Sequence, residues 1–240
     1  MEMMPRRALL ELLADRAVGL ESGLPVLVGV DGVDGAGKST LSEELRSALE
    51  ARGRGAIHVE LDDFQRPREL RNRRGPHSPE GCYEDVFDLE AISALLLDPL
   101  RSGRPFRLRH FDQSTQSPHP EGWLSLGEGA VVIIDGGYLH RPELAGRWDL
   151  TLFVTVPAEL SLRRGVDRDL ASALGREPMP EAEAAALRQR MELRWRRGWL
   201  PAQRLYEELA DPVRRASVLI DNSEPAMPGV EWRVSPGASG

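Results

Sequence analysis

Short apolar runs recur along the chain and are separated by segments with helical spacing. Four of these runs are rich in valine, isoleucine or leucine and predict strands that are buried on both faces: Val26–Val30, Val131–Ile134, Leu152–Val156 and Val218–Ile220. A fifth strand is predicted at Ala56–Leu61, and Pro105–His110 is a candidate for one more.

Between the strands, the spacing of apolar residues predicts helices: Lys38–Arg52, Leu89–Leu100, Pro142–Trp148, Ala158–Leu174 and Glu181–Tyr206. The last helix is expected to break near Gly198 or Pro201. Because strands and helices alternate, the pattern predicts an α/β protein with three α/β/α layers and a mostly parallel sheet of about five strands.

The length of 240 residues predicts a single domain over residues 1–240. Two stretches without periodicity, "QRPRELRNRRGPHSPEGCYED" and "FDQSTQSPHPEGWLSLGEG", predict a small insertion over about residues 63–125. The two ends, Met1–Pro5 and Pro225–Gly240, are expected to be loosely held.

Charge and composition narrow the possible partners. The formal net charge of -7 argues against binding of nucleic acid or a membrane surface through bulk charge. The single cysteine, Cys82, excludes an internal disulfide, and the sequence has no long apolar run or cleavage signal. We therefore expect a cytoplasmic protein with no membrane span, in which any anion is bound locally.

Such a local anion site is predicted by the segment "GVDGAGKST", Gly32–Thr40, which has the spacing of a phosphate-binding loop and lies between a strand and a helix. Glycines allow successive N–H groups to point into a concave anion site at the helix start. Lys38 is expected to reach the β- and γ-phosphates and Ser39 to bind Mg²⁺. A turn without a ligand is the alternative, but the context favours a nucleoside triphosphate. The predicted cofactor-binding residues of this loop are Gly32, Asp34, Gly35, Ala36, Gly37, Lys38, Ser39 and Thr40.

Acidic residues follow two of the predicted strands. Asp62 and Asp63 lie at the end of Ala56–Leu61, and Asp135 follows four apolar residues. Carboxylates at the ends of parallel strands lie where ligands bind in open α/β sheets. They could accept a proton from an attacking hydroxyl or help to hold Mg²⁺, or they could only cap turns.

Several motifs occur in the order typical of one family: "GVDGAGKST", "LDDF", "FDL", "RHFD", "IIDGGYLHRPEL", "VPAELSLRRGVDRDL", "WLPAQRLY" and "IDNSEP". Over most of Pro25–Pro225 the chain resembles uridine kinase-like P-loop kinases, which are related to uridine-cytidine kinase, phosphoribulokinase and bacterial pantothenate kinase. The resemblance implies use of ATP and Mg²⁺ and a small-molecule acceptor.

The resemblance also implies roles for individual residues. Asp62 matches the acid that takes a proton from the substrate's 5′-hydroxyl, and Asp135 matches the acid near the metal. Asp88 matches an aspartate that binds ribose hydroxyls, and Phe111 an aromatic residue near the base. Asp62, Asp88, Phe111, Asp135 and Arg163 are thus the candidate substrate-binding residues, and Ser39, Asp62 and Asp135 the candidate metal ligands.

The segment "RRGVDRD" resembles the arginine-bearing helix of the family's lid, expected here over about residues 163–195. Arg163, Arg164 and Arg168 are its candidates, with Arg168 the preferred catalytic residue; a solvated helix face is the alternative. Asn222 resembles a position near the adenine.

Two departures leave the acceptor open. Gln65 and Gln113 replace the tyrosine and histidine that known uridine kinases carry, so the base contacts cannot be transferred. Residues 66–74 contain five arginines, in a loop that is either solvated or positioned to bind a carboxylate or phosphate of the substrate.

Together these observations predict an ATP-dependent kinase that phosphorylates a primary hydroxyl of a nucleoside or modified nucleoside. A kinase for another small alcohol, either pantothenate-like or a sugar phosphate, and a nucleotide-sensing module are the alternatives. The oligomeric state is left open, and a homo-oligomer is one option.

Overall fold

A computed structural model describes residues 1–20, 23–120, 122–175 and 179–233. Its strands are β1 Glu2–Met3, β2 Val26–Gly32, β3 Ala56–Glu60, β4 Phe111–Asp112, β5 Ser117–Pro118, β6 Val131–Asp135, β7 Leu150–Thr155, β8 Val218–Asp221 and β9 Gly229–Trp232. Its helices are α1 Arg6–Val18, α2 Lys38–Glu50, α3 Arg68–Arg71, α4 Pro79–Glu84, α5 Leu89–Ala91, α6 Asp98–Arg101, α7 Ala158–Leu174, α8 Glu181–Arg194, α9 Leu200–Ala210 and α10 Pro212–Arg215.

The central sheet confirms the predicted α/β class. Its order is β1-β9-β8-β7-β2-β6-β3, and the strands from β8 to β3 run parallel. Every residue of β2 and β6 is buried, as expected for strands covered on both faces. The carboxyl ends of the parallel strands β2, β3, β6 and β7 therefore meet at one edge of the sheet, which is where such folds bind ligands.

The sheet has seven strands in the described residues, two more than predicted. The additional strands, β1 and β9, come from segments predicted to be loosely held. β9 pairs antiparallel with β8, and β1 pairs antiparallel with β9. Hydrogen bonds from Met4 N to Pro228 O and from Arg6 N to Ala226 O continue this pairing. The chain ends thus cover an otherwise open sheet edge. Residues 234–240 of the predicted C-terminal tail lie outside the described residues.

Two predicted elements are wrong. Residues 105–110 form no strand, and only a bridge from Phe106 to Leu124 occurs there. Residues 142–148 form turns instead of a helix, because Gly146 has a φ of 77°, which a right-handed helix does not accommodate. The apolar side chains in this segment still pack inward, since Leu144 is fully buried.

The long predicted helix Glu181–Tyr206 does not break. α8 continues through a π-helical segment, Trp195–Trp199, directly into α9. Gly198 lies in that π-helical segment, and Pro201 follows it as the second residue of α9. A similar π-helical segment, Ile92–Leu97, joins α5 to α6 in the helix predicted at Leu89–Leu100.

Four helices were not predicted: α1, which packs against α2, the short α10, and the short α3 and α4. The latter two occur in the first stretch that lacks sequence periodicity. Of the helices in the described chain, none has the length and apolar character needed to cross a bilayer.

Candidate active site

The phosphate loop connects β2 to α2 in a conformation that requires glycine. Gly35 and Gly37 have φ values of 72° and 89°, and Gly37 is the N-cap of α2. A Cβ on Gly35 would lie 2.6 Å from Ser161 O, closer than any side chain tolerates. The sequence therefore folds here into a left-handed turn packed against α7, with the positive end of the α2 dipole at its centre.

Lys38 lies in the first turn of α2 and folds back over the loop. Its Nζ donates to Gly32 O at 3.0 Å and to Val33 O at 3.1 Å, and lies 3.5 Å from Asp34 Oδ1. Only 10% of the side chain is exposed. The ammonium group is therefore held within the loop, in the position predicted for contact with a triphosphate.

Ser39 and Asp135 meet at the edge of the sheet. Ser39 Oγ donates to Asp135 Oδ2 at 2.6 Å, and Asp135 is 3% exposed at the end of β6. On its other side, Asp135 Oδ1 lies 2.9 Å from Nε2 of His58, which comes from β3. A hydroxyl and a carboxylate are hard oxygen ligands of the kind that Mg²⁺ prefers.

Within the described chain, no group of three or more histidine, cysteine, aspartate or glutamate side chains is arranged to hold a metal by itself. Mg²⁺ at phosphate sites usually takes one or two protein ligands, with phosphate oxygens and water supplying the rest. The pair of Ser39 and Asp135 therefore fits a Mg²⁺ ion that arrives with a nucleotide.

Asp62 lies in a 3-10 turn, Leu61–Phe64, directly after β3. Its Oδ1 accepts a hydrogen bond from Gln65 Nε2 at 2.9 Å, and its carboxylate faces the open cleft. Desolvation by the surrounding cleft walls and the negative charge of Asp34 raise the pKa of Asp62 above its ordinary value. A carboxylate with a raised pKa accepts a proton more readily, as a general base must.

The cleft has a phosphate half and an acceptor half. The phosphate half is lined by Asp34, Gly35, Gly37, Lys38, Ser39, Thr40, Glu60, Asp62, Asp135, Gly136, Gly137, Arg164 and Arg168. The acceptor half is lined by Asp34, Asp62, Gln65, Arg71, Val86, Phe87, Gly137, Tyr138, Arg168, Asp169, Arg194, Trp195, Trp199 and Gln203. Asp34, Asp62, Gly137 and Arg168 line both halves, so the predicted base and the predicted lid arginine lie at their junction.

Arg168 reaches this junction from α7. Its Nε and Nη2 donate to Asp169 Oδ1 at 3.1 and 2.9 Å, and 65% of its side chain is exposed. Trp195 Nε1 donates to Asp169 Oδ2 at 3.1 Å. Gly165 permits this arrangement, because a Cβ there would lie 2.0 Å from the Trp195 ring. Residues 176–178 of the predicted lid lie outside the described residues.

Arg164 and Asn222 support the phosphate loop from the side of β8. Arg164 lines the phosphate half and donates to Asn222 O and Ser223 O, both at 3.0 Å. Asn222 is 4% exposed, and its Nδ2 donates to Ala36 O at 2.6 Å. The structure places Asn222 behind the loop, where it fixes the main chain, and not among the residues that line the two halves.

Three other predicted substrate residues are not brought to the cleft. Asp88 caps α5 by accepting from Ala91 N at 3.0 Å. Phe111 is 8% exposed and lies in the small β4–β5 ribbon. Arg163 is exposed on α7. Among the described residues, none of the three lines either half of the cleft.

The arginine-rich stretch is divided between two roles. Arg73 and Arg74 both donate to Asp85, whose side chain is fully buried. Arg71 turns instead toward the acceptor half, where it donates to Gln65 Oε1 and Gln113 Oε1. The sequence pattern did not separate these roles, because the pairing with Asp85 depends on the fold of α4.

A buried network behind the phosphate loop was also missed. Asp31, at the end of β2, accepts from Gly32 N at 2.7 Å, from Leu139 N at 3.1 Å and from the hydroxyl of Tyr206. Asp31 Oδ2 lies 2.8 Å from His140 Nδ1. The network ties β2 to α9 and to the segment after β6. The only sequence signal was an acidic residue inside an otherwise apolar strand.

Glu60 and His58 are further residues that sequence reasoning did not select. Glu60 pairs in register with Asp135 and lines the phosphate half. Burial and the charge of Asp135 raise the pKa of Glu60. The alternation of β3, which places residues 58 and 60 on one face, could have indicated both positions.

Comparison with known proteins agrees with this geometry. Residues 27–177 match the family described as Phosphoribulokinase / Uridine kinase. Uridine-cytidine kinase B of Dictyostelium discoideum is 29% identical over 148 residues, which cover 61% of this chain and 59% of that protein. The uridine kinase of Deinococcus deserti is 28% identical over 157 residues, covering 64% of this chain and 72% of that protein.

A solved structure of a possible uridine kinase from Bacillus stearothermophilus has a TM-score of 0.66 to this chain at 19% identity, with 89% of this chain and 97% of that chain covered. That likeness supports the P-loop kinase fold. The chain spans 59% and 60% of the length of the Dictyostelium and Danio rerio uridine-cytidine kinases that it matches. The family match spans more than half of the chain and contains the phosphate loop, Asp62, Asp135 and Arg168, so the chain belongs to the Phosphoribulokinase / Uridine kinase family.

Proposed function

We propose that this chain is an ATP-dependent small-molecule kinase that transfers the γ-phosphoryl group of ATP to a primary hydroxyl. The observation that carries the proposal is the position of Asp62 and Arg168 at the junction of the phosphate and acceptor halves. A group that is transferred from the phosphate half to the acceptor half would cross the junction that these two side chains line.

Each residue has a role in that transfer. The loop amides and Lys38 bind the β- and γ-phosphates, and Ser39 and Asp135 would hold Mg²⁺. A bound Mg²⁺ ion supplies charge neutralisation on the phosphate oxygens. Asp62 receives the proton of the acceptor hydroxyl while the oxygen of that hydroxyl bonds to the γ-phosphorus. The bond between that phosphorus and the bridging oxygen breaks, and ADP leaves with the electron pair.

Arg168 lines both halves of the cleft, at the junction that the transferred group would cross. In phosphoryl transfer the charge is spread over the three equatorial oxygens, and a guanidinium group stabilises it through several parallel donors. Its ion pair with Asp169 keeps Arg168 oriented while most of its side chain stays exposed. We therefore propose that Arg168 neutralises the transferring group.

For the acceptor we propose a nucleoside-like molecule, as the relation to uridine kinases suggests. A different small alcohol is the second candidate, because Asp88 caps a helix and Gln65 and Gln113 bond to Arg71. The aromatic wall formed by Phe87, Tyr138 and Trp199 in the acceptor half is compatible with either molecule.

The test is acceptor-dependent ADP release with Mg²⁺, using a library of nucleosides and other small alcohols, with mass spectrometry of the products. We expect at least one acceptor to gain a single phosphoryl group, and Asp62→Asn to abolish most of this gain while ATP still binds. Slow ATP hydrolysis that no acceptor accelerates would contradict the proposal and favour a nucleotide-sensing protein.

A further inference from the structure

We infer that Arg71 and Arg194 form an anion-binding subsite in the acceptor half, so that the acceptor carries a carboxylate or phosphate besides its reactive hydroxyl. The inference rests on the proposed function, because it concerns the acceptor of the same cleft. It adds a substrate feature that transfer itself does not require.

Arg71 is the last residue of α3, and it is held in place by neutral groups. Its Nη1 donates to Gln65 Oε1 at 2.7 Å and its Nη2 donates to Gln113 Oε1 at 2.6 Å. Gln113 is fixed in turn, because its Nε2 donates to Gln65 O at 2.9 Å. Arg71 Nε is buried and has no hydrogen-bond partner in the described chain. A guanidinium group held by neutral partners therefore borders the cleft without an ion pair to a carboxylate among the described residues.

Other arginines of the chain differ from Arg71 because they form ion pairs with carboxylates. Arg73 and Arg74, only two and three residues further along the chain, both pair with the buried carboxylate of Asp85. Arg141, which is 2% exposed, pairs with Glu143 at 2.9 Å. Among the described residues, no carboxylate lies within ion-pair distance of Arg71. A guanidinium group placed in a cleft without a protein carboxylate is suited to bind an anion from solution.

Arg194 adds a second positive charge. It lies at the end of α8, where its guanidinium carbon is 5.7 Å from the centre of the Trp199 ring, and it lines the same half of the cleft. Burial and the nearby charge of Arg194 lower the pKa of Arg71. Two cations that line the same half of the cleft repel each other, and an anion bound by both would relieve that repulsion.

The carboxylates of the acceptor half have other roles. Asp34 lies 3.5 Å from Lys38, and Asp169 holds Arg168 and Trp195. Asp62 is the proposed base, and the Gln65 amide separates it from Arg71: Gln65 Nε2 donates to Asp62, and Gln65 Oε1 accepts from Arg71. A small acceptor can thus place its hydroxyl at Asp62 and its anionic group at Arg71.

The test compares acceptors in matched pairs that share a primary hydroxyl and differ in one anionic group. Suitable pairs are a nucleoside and its 3′-phosphate, a hydroxy acid and its amide, and a sugar and its phosphate. We expect the anionic member of at least one pair to have a KM about 10- to 100-fold lower, as expected for hydrogen bonds to a charged group. Comparison between the pairs shows whether the subsite prefers a phosphate or a carboxylate. Equal or better use of every neutral member would overturn the inference and leave the proposed function standing.

Variants assign the preference to Arg71. In Arg71→Met we expect the KM of the anionic acceptor to rise about 10- to 100-fold while that of its neutral partner stays nearly unchanged. Arg71→Lys should recover part of the preference, since it keeps the charge and loses the fork of donors. Arg68→Met, in the same helix but away from the cleft, is the matched control. A uniform fall in kcat for both members of a pair would show that Arg71 only holds Gln65, and would overturn the inference.

A binding measurement keeps the inference testable without turnover. The phosphate half is filled with a non-hydrolysable ATP analogue and Mg²⁺, and inorganic phosphate or acetate is then titrated while the melting temperature is recorded. Wild type and Arg68→Met should be stabilised by one of these anions, and Arg71→Met and Arg194→Met much less. The same response in all four proteins would overturn the anion subsite, whatever the outcome for the proposed kinase activity.

Discussion

The two halves of the cleft are built in different ways. The phosphate half consists of main chain in a glycine-dependent turn and of buried side chains at the ends of adjacent strands, such as Asp135. The acceptor half consists of side chains from the insertion, the segment after β6 and the helices α7 to α9. The exposed fraction of the side chain is 10% for Lys38, in the phosphate half, and 65% for Arg168, at the junction of the two halves. The geometry of the phosphate half is set mainly by the main chain. The geometry of the acceptor half is set by side chains, which can be substituted without changing the fold.

The difference explains what each half can do. A preorganised anion site depends little on side-chain identity, because backbone amides and a helix dipole contact the phosphates. A wall of exchangeable side chains selects the acceptor, and it can change while the fold stays the same. Variants in the two halves should therefore separate nucleotide binding from acceptor use.

Lys38→Ala should have the largest effect. Removing the ammonium group takes away a charge that is held among the loop carbonyls, and we expect turnover to fall roughly 10⁴-fold or more. The melting temperature should stay close to that of wild type, because the Lys38 ammonium group interacts with loop carbonyls and Asp34 and not with the hydrophobic core. Steady-state kinetics and thermal unfolding measure the two quantities. Near-normal turnover, or an unfolded variant, would contradict the assignment of the phosphate half as the triphosphate site.

Asp62→Asn should lower phosphoryl transfer to the acceptor without lowering ATP binding. The amide keeps the shape of the carboxylate and loses the proton acceptor, so transfer should fall roughly 10²–10⁴-fold. ATP affinity, measured by calorimetry, should remain nearly unchanged. Background hydrolysis of ATP by water should fall much less than transfer to the acceptor. If ATP–Mg²⁺ binding is lost instead, Asp62 organises the metal, and Asp63 or Asp135 becomes the better candidate for the base.

The same division limits what the sequence could predict. The phosphate loop, Asp62, Asp135 and the parallel strands were all predictable, because local rules of turn geometry and buried strands determine them. β1 and β9 were not, since pairing of the two chain ends is a contact between residues more than 220 positions apart, as in Glu2 with Val230. Local patterns carry no information on such pairing.

Side-chain partners in the acceptor half were equally beyond local rules. Arg71 and Arg73 are two residues apart in one basic stretch, yet one faces the cleft and the other pairs with Asp85. Asn222 was selected for the adenine, but the fold turns its amide toward Ala36 O behind the loop. In each case the deciding contact comes from an element distant in sequence.

Arg168→Ala should have a smaller effect than Lys38→Ala or Asp62→Asn. If the guanidinium neutralises the transferring group, kcat should fall roughly 10²-fold with little change in the KM of the acceptor. Arg163→Ala, five residues earlier on α7 and not among the residues that line the cleft, is the matched control. A rise in acceptor KM with unchanged kcat would make Arg168 a positioning residue of the acceptor half.

Asn222→Ala should have the smallest effect, and it should be confined to the phosphate half. The Asn222 amide donates to Ala36 O from a buried position, and its loss leaves that carbonyl without this donor at a cost of about 1–3 kcal/mol. Part of the cost should appear as lower stability. The rest should weaken nucleotide binding, because the nucleotide must then order the phosphate loop. We expect the Kd for an ATP analogue to rise about 10-fold.

The acceptor KM should not change in this variant, because Asn222 lines neither half and its hydrogen bonds join it to the phosphate loop, β7, Arg6 and Arg164. Ser223→Ala is the matched control, since the Ser223 hydroxyl donates to Asp221 and does not reach the loop. Calorimetry with the analogue and steady-state kinetics with the acceptor measure both sides. An Asn222→Ala variant that alters acceptor KM and leaves nucleotide Kd intact would contradict this assignment, because Asn222 would then act on the acceptor half and not through the phosphate loop.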